Sequence, residues 1–213
     1  MSLGDSVLPA LLRSLVLAFC SATVACILAV FAAGFLKFQE IYGKAHSIGS
    51  NFLRFLAAAP VISSGIVLGL GWLVIYGSGF SRSPFALIIL HAVIALPFAF
   101  NSISEGFRCL PANTLNAALV FGAAPFKALL TAAIPLSIKR IRSGWGFAAA
   151  ISLGELNAVM MLGMEGWETL PLFIYRAAGA YRYGIACAAG TLLILCCAAC
   201  FLLAEGRFNK YES

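Results

Sequence analysis

Three kinds of side chain in this sequence have the chemistry for catalysis or metal binding, and all of them lie in strongly apolar surroundings. Glu155 is the one carboxylate deep inside an apolar run, and His91 lies in the middle of another. Cys196, Cys197 and Cys200 are close together, but no His or carboxylate accompanies them at the spacing of a metal site. These residues do not combine a nucleophile with an acid and a base. The sequence therefore predicts no catalytic residue, no metal site and no cofactor.

A carboxylate inside an apolar segment needs a physical reason, because a charge in hydrocarbon costs about 2.5 to 3.5 kcal/mol. Glu155 is therefore expected to face the interior of a helix bundle or a water-filled path. Two interpretations stay open for it. In the first, Glu155 and Asn157 line a translocation path or gate that favours a cationic substrate; in the second, Glu155 makes a structural hydrogen bond, with Asn157 as a candidate partner. His91 is more typical of a residue that hydrogen-bonds between helices.

The composition explains why these polar groups are isolated. Of the 213 residues, 62% are hydrophobic and 10% are charged, against roughly a quarter charged in an ordinary soluble domain. Such a chain cannot cover its apolar surface with polar side chains in water, so a lipid bilayer is its expected solvent. The net charge of +6 comes from residues scattered between apolar runs. This distribution argues against nucleic acid as a partner.

Five apolar runs are long enough to cross about 30 Å of hydrocarbon as helices. They predict an all-α, polytopic membrane bundle that forms one domain over 1–213, with spans at about 14–36, 55–76, 84–103, 144–162 and 184–204. Gly65 and Gly69 in the second span permit close contact with another helix. The sequence shows no internal repeat, no clear interruption of a span and no phosphate-binding Gly-x4-Gly-Lys-Ser/Thr motif.

The positions of Lys and Arg predict the orientation, because cytoplasmic loops are enriched in these residues. Placing the 37–54 loop, the 104–143 segment and the C-terminus on one side gives that side ten of the 14 cations. The N-terminus is then predicted outside and the C-terminus in the cytoplasm. The ten are Lys37, Lys44, Arg54, Arg108, Lys127, Lys139, Arg140, Arg142, Arg207 and Lys210, and the other four are Arg13, Arg82, Arg176 and Arg182.

The long segment between the third and fourth spans carries a pattern of short helices. Pro111 suits the start of one helix, Gly122 suits its end, and Pro125 suits the first turn of a second helix. Leu115 and Ala118 lie on one face of the first helix at a spacing typical of a buried stripe. The sequence therefore predicts a bend between two short helices, with one apolar face covered by the bundle or by a partner.

This segment resembles the EAA signature of permease subunits of ABC importers, in which Glu-Ala-Ala is followed by a Gly and then by an aliphatic stretch ending in Pro. The residues in that frame are Asn116, Ala117, Ala118, Gly122, Pro125, Phe126 and Pro135. The resemblance implies the type I ABC importer permease fold, with a cytoplasmic coupling helix that docks on an ATPase subunit. Asn116 stands where the family has Glu, which removes a carboxylate from the expected docking surface.

The C-terminal third resembles the C-terminal half of thiamine permeases and, more loosely, of ferric-iron permeases, on the stretches 152–155, 169–175 and 179–182. The resemblance implies import of thiamine or its phosphates across the bacterial inner membrane, with ferric iron or another small solute as the alternative. Those relatives fuse two halves, so a second permease half is implied, either another copy of this chain or a separate subunit. A self-sufficient secondary transporter is an alternative of another class.

The loop before the last span combines aromatic and basic side chains. Tyr175, Arg176, Tyr181 and Arg182 are the expected contacts of an extracytoplasmic substrate-binding protein, which the resemblance also implies. Aromatic side chains at this position are more commonly found at the lipid interface, and membrane lipid is an expected partner of every span. The cations around Arg140 are interpreted as topology anchors, with anionic lipid or the ATPase as an alternative contact.

Overall fold

The computed structural model describes residues 4–43, 47–81, 83–163 and 166–205, and every regular element in these ranges is a helix. The predicted all-α fold is confirmed. A π-helical turn at Leu129–Ala133 joins two short α-helices. The α-helices are α1 (Gly4–Ile41), α2 (Ile48–Ile62), α3 (Gly65–Ser81), α4 (Pro84–Arg108), α5 (Ala112–Val120), α6 (Pro125–Ala128), α7 (Ile134–Leu136), α8 (Ile138–Gly154), α9 (Asn157–Leu162), α10 (Leu170–Gly179) and α11 (Tyr183–Glu205).

Three helices in the described ranges are long and apolar enough to cross a membrane. They are Val7–Ile41, Pro84–Arg108 and Tyr183–Leu202. They correspond to the predicted first, third and fifth spans. The first two of these helices run beyond the predicted limits, because α1 already includes apolar residues before Arg13 and continues past Lys37, and α4 continues past Ile103 to Arg108.

The predicted second span, 55–76, is not one straight helix. Helices α2 and α3 meet at an angle of 108°, and the pair is long enough for one span only if the bend is included. Ser63 has an extended backbone, and the Ser64 side chain accepts a hydrogen bond from the Ile66 amide at 3.3 Å, which starts a new helix. Both flanks are apolar, so hydropathy did not reveal the break.

The predicted fourth span, 144–162, also contains a break. Helix α8 begins at Ile138, inside the segment expected to be a loop, and ends at Gly154. Glu155 has an extended backbone, and α9 begins two residues later. The expectation of uninterrupted spans was therefore wrong at two places, whereas the count of five spans stays a prediction.

The centre of the bundle consists of α1, α4 and α8, which pack through small residues. Ala22, Ala25 and Ala29 of α1 are fully buried. Where α4 crosses α8, a Cβ atom added to Gly144 would lie 3.1 Å from the carbonyl oxygen of Ala99. Close backbone approach of this kind is the main source of attraction between helices in lipid, where apolar side chains gain little from leaving the solvent.

A chain of buried polar side chains links these three central helices. The hydroxyls of Ser21 and Ser152 are 2.7 Å apart, and the Ser152 hydroxyl lies 2.9 Å from Nδ1 of His91. Ser21 also donates to the carbonyl of Leu17 in its own helix at 2.7 Å. His91 therefore makes the interhelical hydrogen bond that its position in an apolar run predicted.

The described cations separate toward the two ends of α1. Lys37 near its C-terminal end lines a cavity with Arg54 and Arg108. At the other end, the Ser14 hydroxyl accepts the Leu170 amide at 2.7 Å, which places α10 and its Arg176 beside the start of α1. This grouping agrees with the predicted division into two sides; which side is cytoplasmic stays a prediction. Lys44, Arg82, Arg207 and Lys210 lie outside the described residues.

Replacing Ser152 by Ala should destabilise the bundle, because it leaves Nδ1 of His91 and the Ser21 hydroxyl without their interhelical partner. We expect the free energy of unfolding in detergent to fall by about 1 to 2 kcal/mol. Thr191→Ala is the matched control, because the Thr191 hydroxyl bonds only to the Cys187 carbonyl of its own helix and is exposed. Equal losses of stability in the two variants would contradict an interhelical role for Ser152.

Candidate functional site

The Glu155 carboxylate lies in the break between α8 and α9. Its Oε1 accepts a hydrogen bond from the Ala158 amide at 3.2 Å, so the side chain caps the first turn of α9. The residue is half-buried. Among the described contacts there is no hydrogen bond between the Glu155 and Asn157 side chains. The structural partner of Glu155 is thus the backbone of α9, where sequence reasoning had considered Asn157.

The break at Glu155 meets the break between α2 and α3. A Cβ atom added to Gly65, the first residue of α3, would lie 2.7 Å from Oε1 of Glu155 and 3.4 Å from Cβ of Asn157. One turn later, Gly69 packs equally closely on Met161 of α9. The predicted close contact at these two glycines is confirmed. We name the residues 63–65 and 155–157 together the break junction.

The break junction is electrostatically favourable for a carboxylate. The N-terminal ends of α3 and α9 both lie beside Glu155, and helix N-termini carry a partial positive charge from their unpaired amides. Broken helices are tolerated at membrane depth where side chains or water satisfy the exposed backbone. Glu155 supplies such a partner here by accepting the Ala158 amide.

A second candidate region is the segment 111–136, which we name the docking segment. Pro111 precedes α5, and Gly122 follows it with φ +82°, a left-handed conformation that favours glycine. Pro125 occupies the first turn of α6. The two short helices and the bend between them are thus confirmed. Pro135, which has no amide hydrogen, follows the π-helical turn that widens the backbone before it.

The base of the docking segment is packed against α1. Leu115 is buried, and Ala118 packs against the same core. The Leu129 side chain lies so close to α1 that a Cβ atom at Gly34 would be 2.8 Å from its Cδ1. The rings of Phe31 and Phe126 are stacked with their centroids 6.2 Å apart. The bundle therefore covers the apolar face of α5 and holds the segment in place.

The tip of the docking segment leaves large apolar side chains uncovered. Phe121 is 91% exposed and Val120 is 84% exposed, and Asn116 lies exposed on the same helix. Sequence reasoning singled out the signature residues and missed Val120 and Phe121. The sequence feature that could have indicated their exposure is their position: both residues directly precede Gly122 and neither belongs to the apolar stripe that α5 buries.

The predicted binding-protein contacts lie at the other end of α1. Tyr175, Tyr181 and Arg182 are exposed, and Arg176 is exposed while its Nη1 lies 3.0 Å from Oε1 of Glu168. The four residues lie in the second half of α10 and in the turn that follows it. Tyr181 has a left-handed backbone with φ 59°, so the chain turns sharply there before α11 begins.

Three curated relatives carry names of transport permeases, and no protein-family model matches the chain. A Salmonella typhimurium protein named as a 2-aminoethylphosphonate transport system permease, PhnV, is 31% identical over 169 residues, which cover 78% of this chain and 62% of that protein. The putrescine transport system permease protein PotI of Escherichia coli K12 is 28% identical over 180 residues, which cover 81% of this chain and 62% of that protein. The thiamine transport system permease protein ThiP of Brucella abortus is 24% identical over 152 residues, which cover 70% of this chain and 28% of that protein.

A solved structure of a bacterial ABC transporter involved in the import of the acidic polysaccharide alginate shares the fold. It aligns with a TM-score of 0.64 over 97% of this chain and 80% of that chain, at 16% identity. The chain is a homologue of transport system permeases and shares the fold of an ABC-transporter chain. It spans about 62% of the length of the PhnV and PotI relatives. This homology, together with the apolar helices, indicates a multi-pass protein of the inner membrane.

The homology confirms the resemblance to ABC-transporter permeases that the signature frame indicated. It does not single out thiamine, because the thiamine relative has a lower identity than the phosphonate and putrescine relatives. The relatives are transport proteins, which agrees with a transport subunit rather than an enzyme.

Replacing Gly65 by Ala should loosen the break junction of this permease homologue. The new methyl group would lie 2.7 Å from Oε1 of Glu155, so either the carboxylate leaves the Ala158 amide or α3 moves away from α9. We expect the free energy of unfolding to fall by about 1 to 3 kcal/mol. Gly71→Ala, on the same helix with nothing within 4 Å, should keep or raise stability. A Gly65→Ala protein as stable as Gly71→Ala would disprove the tight junction.

Proposed function

We propose that this chain is the membrane-spanning permease subunit of an ATP-driven importer that moves a small solute inward by alternating access. The observation that carries the proposal is the docking segment, whose base is packed on α1 while Val120 and Phe121 at its tip are uncovered. An apolar tip on a firmly held base suits docking into a groove of another protein.

The partner at the docking segment is proposed to be a cytoplasmic ATPase subunit. These 213 residues contain no phosphate-binding Gly-x4-Gly-Lys-Ser/Thr motif, which supports a separate source of nucleotide hydrolysis. Asn116 is exposed beside the apolar tip and can hydrogen-bond to such a partner without contributing a charge. The coupling contact is therefore expected to rest on apolar burial at Phe121 and Phe126.

Two further partners complete the proposed importer. A second permease half, either identical or different, would cover the apolar faces that this chain leaves exposed on α2 and α3. A substrate-binding protein would dock on Tyr175, Arg176, Tyr181 and Arg182. In the proposed cycle a loaded binding protein docks outside, ATP closes the ATPase subunits, the docking segment moves with them, and hydrolysis returns the bundle to the inward-open state.

The substrate is proposed to carry a positively charged nitrogen, with thiamine or its phosphates as the first choice. The C-terminal motif favours thiamine, and the solutes in the names of all three relatives are nitrogen cations or carry one. The Glu155 carboxylate at the break junction is the matching group in the bundle, and Asn157 beside it can add a hydrogen bond. A cation passing the junction would gain a charge-assisted contact there.

Replacing Phe121 by Asp should detach the ATPase while leaving the membrane domain folded, because this side chain is 91% exposed and a charge in its place opposes apolar docking. The wild-type chain, tagged and purified in mild detergent from its native membrane, should bring with it an ATPase that carries the phosphate-binding motif. We expect recovery of that ATPase with the variant to fall by about tenfold or more.

Tyr181→Asp is the matched control, because Tyr181 is 80% exposed but lies at the opposite end of α1. It should retain the ATPase. If a folded wild-type chain never brings an ATPase with it, the importer proposal fails and a self-sufficient secondary transporter becomes the better interpretation. The two broken helices would suit that class as well.

Glu155→Gln should impair uptake of labelled thiamine without preventing assembly. Glutamine retains a carbonyl oxygen to accept the Ala158 amide, so the cap of α9 can survive while the charge is lost. We expect uptake to fall by about tenfold, the equivalent of one lost charge-assisted contact. Glu155→Asp retains the charge and should transport better than the glutamine variant. Normal uptake by Glu155→Gln would remove this residue from the translocation path.

The same uptake assay also tests which solute is the substrate. Putrescine and 2-aminoethylphosphonate, tested as competitors in excess, should reduce thiamine uptake only if they share the site. Strong inhibition by one of them, with weak uptake of thiamine itself, would assign the importer to that solute. If the protein takes up ferric iron and none of the three organic solutes, the proposed substrate class is wrong and the permease proposal stays intact.

A further inference from the structure

A cavity of about 740 Å³ lies between the C-terminal ends of α1 and α4 and the middle of α2. We name it the basic cavity. It is separate from the break junction and lies at the same end of α1 as the docking segment. Its charged and polar lining residues are Lys37, Glu40, Arg54, Asn101, Ser104, Glu105 and Arg108. The rest of the lining is apolar and includes Leu36, Phe100 and Phe107.

Lys37 is the most unusual side chain in this lining. It is only 7% exposed, although a lysine ammonium is rarely buried without full compensation. Its Nζ lies 3.4 Å from Oε2 of Glu40, and this is its one partner among the described residues. An ammonium has three hydrogen-bond donors, so a single long contact to a half-exposed carboxylate leaves donors for another acceptor.

Ser104 provides a second unsatisfied group on the same wall. Its hydroxyl is buried and has no hydrogen-bond partner among the described residues. Buried polar atoms are nearly always paired, with protein, water or a ligand. Asn101, one helical turn earlier on α4, lines the same cavity. Lys37 of α1 and Ser104 of α4 thus line one space from two helices.

The charge balance of the basic cavity favours an anion. Three cations face two carboxylates, and the contact between Arg108 and Glu105 is 3.9 Å long and solvent-exposed, so it contributes little. Arg54 has no carboxylate partner among the described residues. The volume falls in the range of small-molecule sites, and the apolar walls suit a ligand with a hydrocarbon or glycerol part next to its charged group.

We propose that the basic cavity binds a phosphate group, held by Lys37, Arg54 and Arg108 with Ser104 as an additional hydrogen-bond partner. Guanidinium groups and lysine ammonium groups are the usual ligands of phosphate oxygens in proteins. The phosphate belongs either to an anionic phospholipid headgroup or to a free phosphate ion. Basic pockets between membrane helices are a known setting for phospholipid headgroups.

The proposal is tested by native mass spectrometry of the full-length protein in detergent during titration with phosphatidylglycerol, and in parallel with phosphatidylcholine, which carries no net charge. We expect phosphatidylglycerol to bind more tightly to the wild type. Lys37→Met and Arg54→Gln should each weaken its binding by about tenfold. Arg54 is exposed, so its variant is expected to fold even if the buried Lys37 variant does not.

Arg182→Gln is the control, because it removes an exposed arginine at the other end of α1 and should leave lipid binding unchanged. Inorganic phosphate added in excess identifies the source: displacement of the lipid indicates a site that also takes free phosphate, and no displacement indicates the lipid headgroup. Equal binding of the two lipids, or equal binding by wild type and Arg54→Gln, would overturn the proposal. None of these measurements requires an ATPase or a transported solute, so they stand apart from the importer proposal.

Discussion

The hydrogen bond from the Ala158 amide to the Glu155 carboxylate satisfies backbone at a place where an apolar surrounding would otherwise forbid a break. Because α8 can end there, α9 can turn and lie against α3. Gly65 then approaches the same carboxylate so closely that no larger residue fits without a shift. Three features of the bundle therefore depend on one another: the carboxylate of Glu155, the two interrupted helices and the tight contact at Gly65. Removing any of them would leave unpaired polar groups or a steric clash inside the bundle.

The long helix α1 connects this centre with both ends of the protein. Ser14 near its start accepts the amide that begins α10, and Ser21 joins the polar chain through Ser152 to His91. Near its end, Phe31 and Gly34 contact the docking segment. A displacement of the docking segment would therefore press directly on α1. The close contacts at Gly144 and Gly65 favour a change between discrete packings over gradual deformation of the bundle.

The docking segment and the basic cavity use the same end of α1 in different ways. The docking segment combines a buried base with an exposed apolar tip, which suits a protein partner. The basic cavity combines a buried ammonium at Lys37 with a Ser104 hydroxyl that has no partner in the described part of the chain, which suits a small anionic group. A bound phospholipid there would lie between α1, α2 and α4, away from the break junction.

The sequence by itself determined the membrane setting, the all-helical class, the pattern of short helices around Gly122 and the resemblance to ABC permeases. These depend on composition, apolar run length and turn residues, which are local properties. Only the tertiary structure decided where the helices break. A hydropathy profile is the same for the apolar residues on both sides of Ser63 and Glu155 whether the helix axis is straight or bent there. The tertiary structure also decided the partner of Glu155 and the exposure of Phe121, because both depend on which residues from distant parts of the chain lie beside them.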